Sequence, residues 1–334
     1  MPTVTFHGVR GSCPCSDPRM SRYGGGTSCV SIQPDDDVPP IVLDLGTGSR
    51  LLGEDLVARY LPGRSLSRGM PPDDLPDPLD AAVGEPAGAV SANEHMHHGA
   101  DAGSALLELS AFVTHLHFDH VQGLPFFGPA IRQGTLLTIY GPSKDATTLE
   151  HSFAAFVRPP YFPVGLDDLP SLLRWRAVSD GDSIRVGDAV VLAREVPHRG
   201  PTLGYRVQCG GFVITYLSDH QAPRGSRPGG GPGEEGGPRL SETVCELAAD
   251  ADLLIHDAQY TDEEFAVKGH WGHSTVGFAL EVARASGAKR LALFHHDPTH
   301  DDEWLDGMEA EATRLAAGDF AVVMAAEGFS IKLQ

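Results

Sequence analysis

The chain has 334 residues, and 25 Lys+Arg against 45 Asp+Glu give a formal charge of −20, which argues against wrapping extended nucleic acid because that needs a cationic face to displace counterions. Hydrophobic residues at 41% exclude wholesale disorder, and five thinly spread cysteines make no disulfide framework. No apolar run approaches the roughly 18 residues that span a bilayer. The opening Met1-Pro2-Thr3-Val4-Thr5-Phe6 lacks the basic-then-apolar form of a secretory leader. The expectation is a soluble protein of the reducing cytoplasm with no membrane partner.

In chain order, β-branched runs ending in turns or polar loops predict strands at Val4–Phe6, Cys29–Ile32 and Ile41–Asp44. From about 62 to 103 the chain turns to Pro, Asp, Gly and Ala with no sustained period, which predicts a flexible surface insertion. Strands follow at Ala111–Thr114 and Leu136–Tyr140, then an amphipathic helix at Lys144–Phe156. Further strands fall at Val190–Glu195, Gly204–Val207 and Phe212–Ser218. A second insertion, about 223 to 238, contains Gly-Gly-Gly-Pro-Gly. Beyond it the pattern alternates: helix Ser241–Ala249, strand Leu253–His256, helix Ser274–Ser286, strand Arg290–Phe294, helix Asp302–Ala317, and strands Phe320–Met324 and Ser330–Leu333. Strand-like segments of one character flank both insertions, so residues 1–334 are expected to form a single domain of two sheets between helical layers.

Sixteen histidines are present, and their placement carries the chemistry. The segment Ala111-Phe112-Val113-Thr114-His115-Leu116-His117-Phe118-Asp119-His120 runs from an apolar strand into a loop rich in ligand-capable residues. Alternation in an extended backbone puts His115 and His117 on one side, within reach of one cation. Asp119 and His120 follow where the chain turns and can face a second. Zinc-type ions take such imidazole nitrogens and carboxylate oxygens at about 2.0–2.2 Å.

This H-x-H-x-D-H segment resembles the metal-binding signature of the metallo-β-lactamase superfamily, whose αββα sandwich matches the strand and helix order. Within it the chain is most similar to the phosphodiesterase branch that contains tRNase Z and cyclic-phosphate phosphodiesterases. Asp44-Leu45-Gly46-Thr47-Gly48 looks like the early D-x-G turn, and Pro197-His198 with Gly204-Tyr205-Arg206 like the third-histidine segment. Tyr216-Leu217-Ser218-Asp219 looks like the strand that ends in the bridging carboxylate. His256-Asp257-Ala258-Gln259 resembles the H-E-A-T segment with Asp for Glu, and Gly272-His273-Ser274-Thr275 the H-S-T segment.

The resemblance implies two divalent ions, zinc by donor type, with manganese or iron(II) tolerated by the same set. One would be held by His115, His117 and His198, the other by Asp119, His120 and His295, with Asp219 between them. His296 competes with His295 for the last position. Asp119, His273 and Asp257 would be the catalytic groups, and His273 with Ser274 would meet the substrate. Asp44 is read as a buttress for the ligand loops, and His220 and His256 as packing or supporting histidines. Arg10, Arg206 and the glycine turn Tyr23–Ser28 are weaker candidates for phosphate contact. Cys13-x-Cys15 lacks the second pair of a structural zinc site, and His95, His97 and His98 fall in the first insertion.

The implied activity is hydrolysis of a small or nucleotide-type (cyclic) phosphodiester by a metal-bridging hydroxide, in what the resemblance alone makes a homodimer. Three alternatives share the site: tRNA 3′ processing, a lactonase or other acyl hydrolase, and a non-catalytic metal-binding sensor. The tRNA enzymes use a protruding basic arm. Gly141–Arg176 does insert after a strand, but reads Pro-Pro-Tyr-Phe-Pro-Val-Gly-Leu-Asp-Asp at its centre, so extended nucleic-acid binding is not expected.

Overall fold

Alternating apolar residues in short β-branched runs build two mixed sheets, each covered on its outer side by helices. The computed structural model describes residues 1–62, 94–96, 106–222 and 240–334. Among these, strands β1 (Thr3–Gly8), β2 (Cys29–Gln33), β3 (Ile41–Leu43), β4 (Glu94–Met96), β5 (Leu107–Phe112), β6 (Thr135–Pro142) and β7 (Leu172–Val178) lie in the first sheet. The second contains β8 (Ser183–Val186), β9 (Ala189–Glu195), β10 (Leu203–Cys209), β11 (Phe212–Leu217), β12 (Leu253–Asp257), β13 (Arg290–Phe294) and β14 (Ala321–Met324). The last strand, β15 (Ser330–Lys332), returns to the first sheet, whose order is β15-β1-β2-β3-β5-β6-β7-β4. The second runs β14-β13-β12-β11-β10-β9-β8. Strands β3, β5, β6 and β7 pair in parallel, as do β11 to β14, and the outer pairs are antiparallel.

The sheets face each other through Phe6, Ile32 and Phe112 on one side and Tyr205, Tyr216, Ile255 and Phe294 on the other. Phe112 stacks on Tyr140 at 4.4 Å and meets the edge of Tyr205 at 5.5 Å. Strand β12 shows why the pattern works. Leu253 and Ile255 enter the inter-sheet core while Leu254 points to the helices, as a strand buried on both faces requires.

Helices α1 (Ser49–Tyr60) and α3 (Ala146–Ala154) cover the first sheet through Leu52, Leu56, Leu149 and Phe153. Between them in sequence lies the short α2 (Phe118–Val121). On the second sheet lie α4 (Glu242–Ala248), α6 (Val276–Ser286) and α7 (Asp302–Ala316), with α5 (Asp262–Lys268) leading into α6. Side-chain caps start them: Asp145, Ser241, Thr275 and Asp301 accept N–H bonds at α3, α4, α6 and α7. No described helix is long and apolar enough to cross a membrane.

Three sequence expectations change. Gly141–Arg176 is not an excursion: it holds α3 and most of β7, with Phe153 against Trp175 at 5.0 Å in the core. The helix α1 escapes the apolar pattern because Gly53 interrupts it. There the backbone meets Gly128 so closely that a Cβ would collide with the Gly128 nitrogen. Within 62–103, Glu94–Met96 pairs antiparallel with β7; residues 63–93 and 97–105, with His97 and His98, lie outside the described residues, as do 223–239.

Candidate metal centre

The ligand-capable residues cluster because the strands end together. The loops after β5, β9, β11, β12 and β13 carry His115–His120, His198, Asp219, Asp257 to Gln259 and His295, and all converge at one end of the sandwich. His117 caps α2, so Asp119 and His120 sit in its first turn, and the His120 N–H donates to the His117 carbonyl at 3.0 Å.

Two groups form. His115, His117 and His198 bring one ligand atom each within 4.8 Å of one another, and Asp119, His120 and His295 do the same. Asp219 lies between: its Oδ1 is 3.9 Å from His115 Nε2 and 3.7 Å from His198 Nε2, and its Oδ2 is 3.0 Å from His120 Nε2 and 3.3 Å from His295 Nε2. Each group can hold one divalent cation, with Asp219 shared.

The donors suit cations rather than one another. Among the described residues, His115 Nε2, His120 Nε2 and Asp219 Oδ2 are buried without a well-aligned hydrogen bond, although the last two lie 3.0 Å apart, an arrangement whose cost of about 1–3 kcal/mol per unpaired atom a bound ion would remove. The imidazoles are also pre-set. His120 Nδ1 donates to Asp44 Oδ2 at 2.8 Å, His295 Nδ1 to Gln259 Oε1 at 2.9 Å, and His198 Nδ1 to the Gly272 carbonyl at 2.6 Å. Each leaves the Nε2 lone pair facing the cluster. Burial holds His115, His117 and His198 below the ordinary histidine range, hence neutral. Burial opposes ionisation of Asp119 and Asp219, but the neighbouring imidazoles, His120 first, outweigh it and hold both carboxyls below the usual range. Neutral imidazole and ionised carboxylate are the ligating forms. His120 is driven upward despite its burial by Asp219, Asp119 and Asp44, a demand for positive charge that a cation meets equally well.

Asp44 is the hub of this support. Fully buried at φ +59, it accepts from the Thr114 N–H at 2.7 Å, Thr114 Oγ1 at 3.0 Å, His120 Nδ1 and Tyr216 OH at 2.9 Å. The Ser12 N–H donates to Asp119 Oδ2 at 2.8 Å from a residue at φ +62.

Beside the cluster, His273 Nδ1 donates to Asp257 Oδ2 at 2.9 Å. Its ring stacks on His295 with centroids 4.9 Å apart. Asp257 thus closes the distance despite lacking a methylene relative to Glu. Burial would lower His273, but Asp257, then Asp219 and Asp119, raise it above the ordinary histidine value.

The two adjacent histidines part company. His295 takes a left-handed turn (φ +63) into the cluster, whereas His296 Nε2 donates to the Ala325 carbonyl at 2.8 Å. Ser274, expected at the substrate, is fully buried and its hydroxyl donates to the His220 carbonyl. Arg10 is buried against the carbonyls of Gly24 and His300, and Arg206 binds those of Leu247 and Ala249 at the end of α4. The glycine turn at Gly26 already faces Glu327, whose carboxylate accepts the Gly26 N–H, so it does not cradle an anion. His220 and His256 bond each other at 2.9 Å in a buried pair. Sequence reasoning gave Gln259 no role; its only signal is its place two residues beyond Asp257 at a strand end.

Residues 89–296 match the model of the beta-lactamase superfamily domain. The chain is 30% identical over 230 residues to ribonuclease Z of Brevibacillus brevis, covering 58% of this chain and 69% of that one. It is 28% identical over 237 residues to ribonuclease Z of Bacillus velezensis, covering 60% and 74%. Among solved structures, the metallo-beta-lactamase fold protein YhfI from Bacillus subtilis superposes with a TM-score of 0.59 at 16% identity, over 99% of this chain and 100% of that one. Fold and site together define a metal-dependent hydrolase. The chain belongs to the metallo-β-lactamase superfamily.

Proposed function

We propose that this chain is a dinuclear phosphodiesterase acting on a small or nucleotide-type (cyclic) phosphodiester, with zinc in both positions. The observation that carries the reading is the His273–Asp257 pair beside the ligand cluster. With Nδ1 committed to Asp257, the free Nε2 can donate to a non-bridging phosphate oxygen as charge builds there, and the carboxylate stabilises the imidazolium. Two divalent cations supply Lewis acidity and water activation near neutral pH. The remaining residues fix position: Asp44, Gln259 and the Gly272 carbonyl hold the imidazoles, and Ser12 holds Asp119.

A second reading, tRNA 3′ processing, is favoured by the relatives named ribonuclease Z. The compact α3–β7 region and the −20 charge weigh against it. A homodimer in the cytoplasm belongs to the leading proposal.

The test is a turnover panel on the metal-loaded protein: an aryl phosphodiester, cyclic nucleotides, a lactone and a precursor tRNA. Hydrolysis of the aryl diester and a cyclic nucleotide is expected. Cleavage of precursor tRNA or lactone with neither diester turned over would overturn the reading.

A further inference from the structure

The cluster is not evenly buried. The side chains of His115, His120, His295, Asp219 and His198 are sealed, while His117 is exposed with its Nδ1 3.2 Å from His198 Nε2, so the cluster is open on the His117 side. Two exposed aromatics neighbour this edge in sequence, Phe118 with its ring edge-to-face on Phe156 at 5.6 Å and Trp271 on His270 at 6.0 Å. Phe118, 59% exposed, follows His117 directly, and Trp271, 54% exposed, precedes Gly272, whose carbonyl holds His198. An isolated exposed apolar residue means little, but one of these aromatics adjoins exposed His117 in sequence and the other adjoins the residue whose carbonyl holds His198.

The same spot holds a cation. Arg199 follows His198, is exposed, and has no ion pair among the described residues, in a chain whose charge is −20. Its stem packs on Gly272: a Cβ there would fall 2.8 Å from Arg199 Cγ and 2.9 Å from His198 Nδ1, and the residue sits at φ +108. Glycine at 272 therefore lets Arg199, His198 and the Trp271 backbone crowd together.

We propose that Trp271, Phe118 and Arg199 form a subsite for a nucleobase-bearing phosphodiester, with the base stacked on the aromatics and phosphate charge met by Arg199. This rests on the phosphodiesterase reading and narrows its substrate to one carrying a planar ring. Stacking is tolerant of base identity because every base presents a π-face, so the subsite selects nucleotides over ring-free diesters without reading sequence.

The experiment compares 2′,3′-cyclic AMP with glycerol 1,2-cyclic phosphate on the metal-loaded protein. Trp271→Ala and Phe118→Ala should each lower the ratio of kcat/KM between the two substrates about tenfold, about 1.4 kcal/mol, chiefly through KM. Arg199→Ala should raise KM for both by about tenfold and leave their ratio alone. Independently of turnover, AMP should quench tryptophan fluorescence in the wild type and not in Trp271→Ala, which retains Trp175 and Trp304. Ratios within twofold of wild type in both aromatic variants, or quenching that survives Trp271→Ala, would overturn the subsite. If neither diester is hydrolysed, the phosphodiesterase reading fails, and the quenching still decides whether a base binds here.

Discussion

Replacing Asp44 with Asn changes one atom and tests the support of the whole centre. Asn tolerates the φ of +59 at this position, so the backbone is not perturbed. The carboxylate serves five donor groups: the Thr114 N–H and hydroxyl, His120 Nδ1–H, Tyr216 OH and, at 3.4 Å, the Ser218 hydroxyl. An amide oxygen can keep the Thr114 pair, which turns the NH2 group towards His120 and Tyr216. Tyr216 can rotate and accept, but His120 must leave Nδ1–H unpaired or shift its proton to Nε2, the atom that faces the cluster. One or two stranded buried donors cost about 2–4 kcal/mol. For a chain of this size that is a fall in Tm of roughly 3–6 °C. Loss of the orienting carboxylate should also weaken metal affinity about 10–100-fold. Calorimetry of the apo protein and competition against a zinc chelator measure the two effects. A variant with wild-type Tm and zinc affinity within twofold of wild type would refute the assignment of Asp44 as the anchor of His120.

Other outcomes follow from the same geometry. His273→Ala should keep the metal content of the wild type while diesterase kcat falls about 100-fold or more; full activity would remove His273 from the phosphate. Gln259→Leu, which leaves His295 Nδ1 without its acceptor, should weaken metal binding about tenfold or more, and unchanged affinity in a chelator competition would deny Gln259 that part. Burial depresses the His7 imidazole from the ordinary histidine value of 6.5 to about 4. The folded state thus resists a proton that the unfolded chain accepts, and stability present above pH 6.5 is lost as pH falls through 4, by at most about 3 kcal/mol. His7→Gln should flatten the pH dependence of denaturant midpoints across that window, and an identical slope in the variant would count against a neutral His7.

Much of the fold was legible because each sheet position repeats a local rule. The runs at Leu253–His256 and Arg290–Phe294 are strands within one residue of expectation, and the helices expected at Ser241–Ala249 and Asp302–Ala317 are α4 and α7 to within one residue at each end. Segments that failed lacked a clean period. In β7 the arginines Arg174 and Arg176 alternate with core residues Leu173 and Trp175, and the segment sits beyond a proline-rich stretch that suggested an excursion. The site divides similarly. His115 to His120 could be read because they are contiguous and share one strand end. The choice between His295 and His296 could not, since it depends on a single left-handed backbone angle. Ser274 looked available because its neighbour His273 is, but the turn into α6 aims its hydroxyl at the His220 carbonyl. Gln259 and Tyr216 were invisible as supports, because their partners lie 36 and 172 residues away, just past the ends of other strands.

Metal stoichiometry probes the centre most directly. Equilibrium dialysis of the apo protein against zinc, followed by elemental analysis, should return two ions per chain for the wild type, and Asp219→Ala should lose at least one of them. A wild-type chain that takes up no zinc at saturation, or an Asp219→Ala chain that still binds two ions with unchanged affinity, would contradict the shared two-ion site.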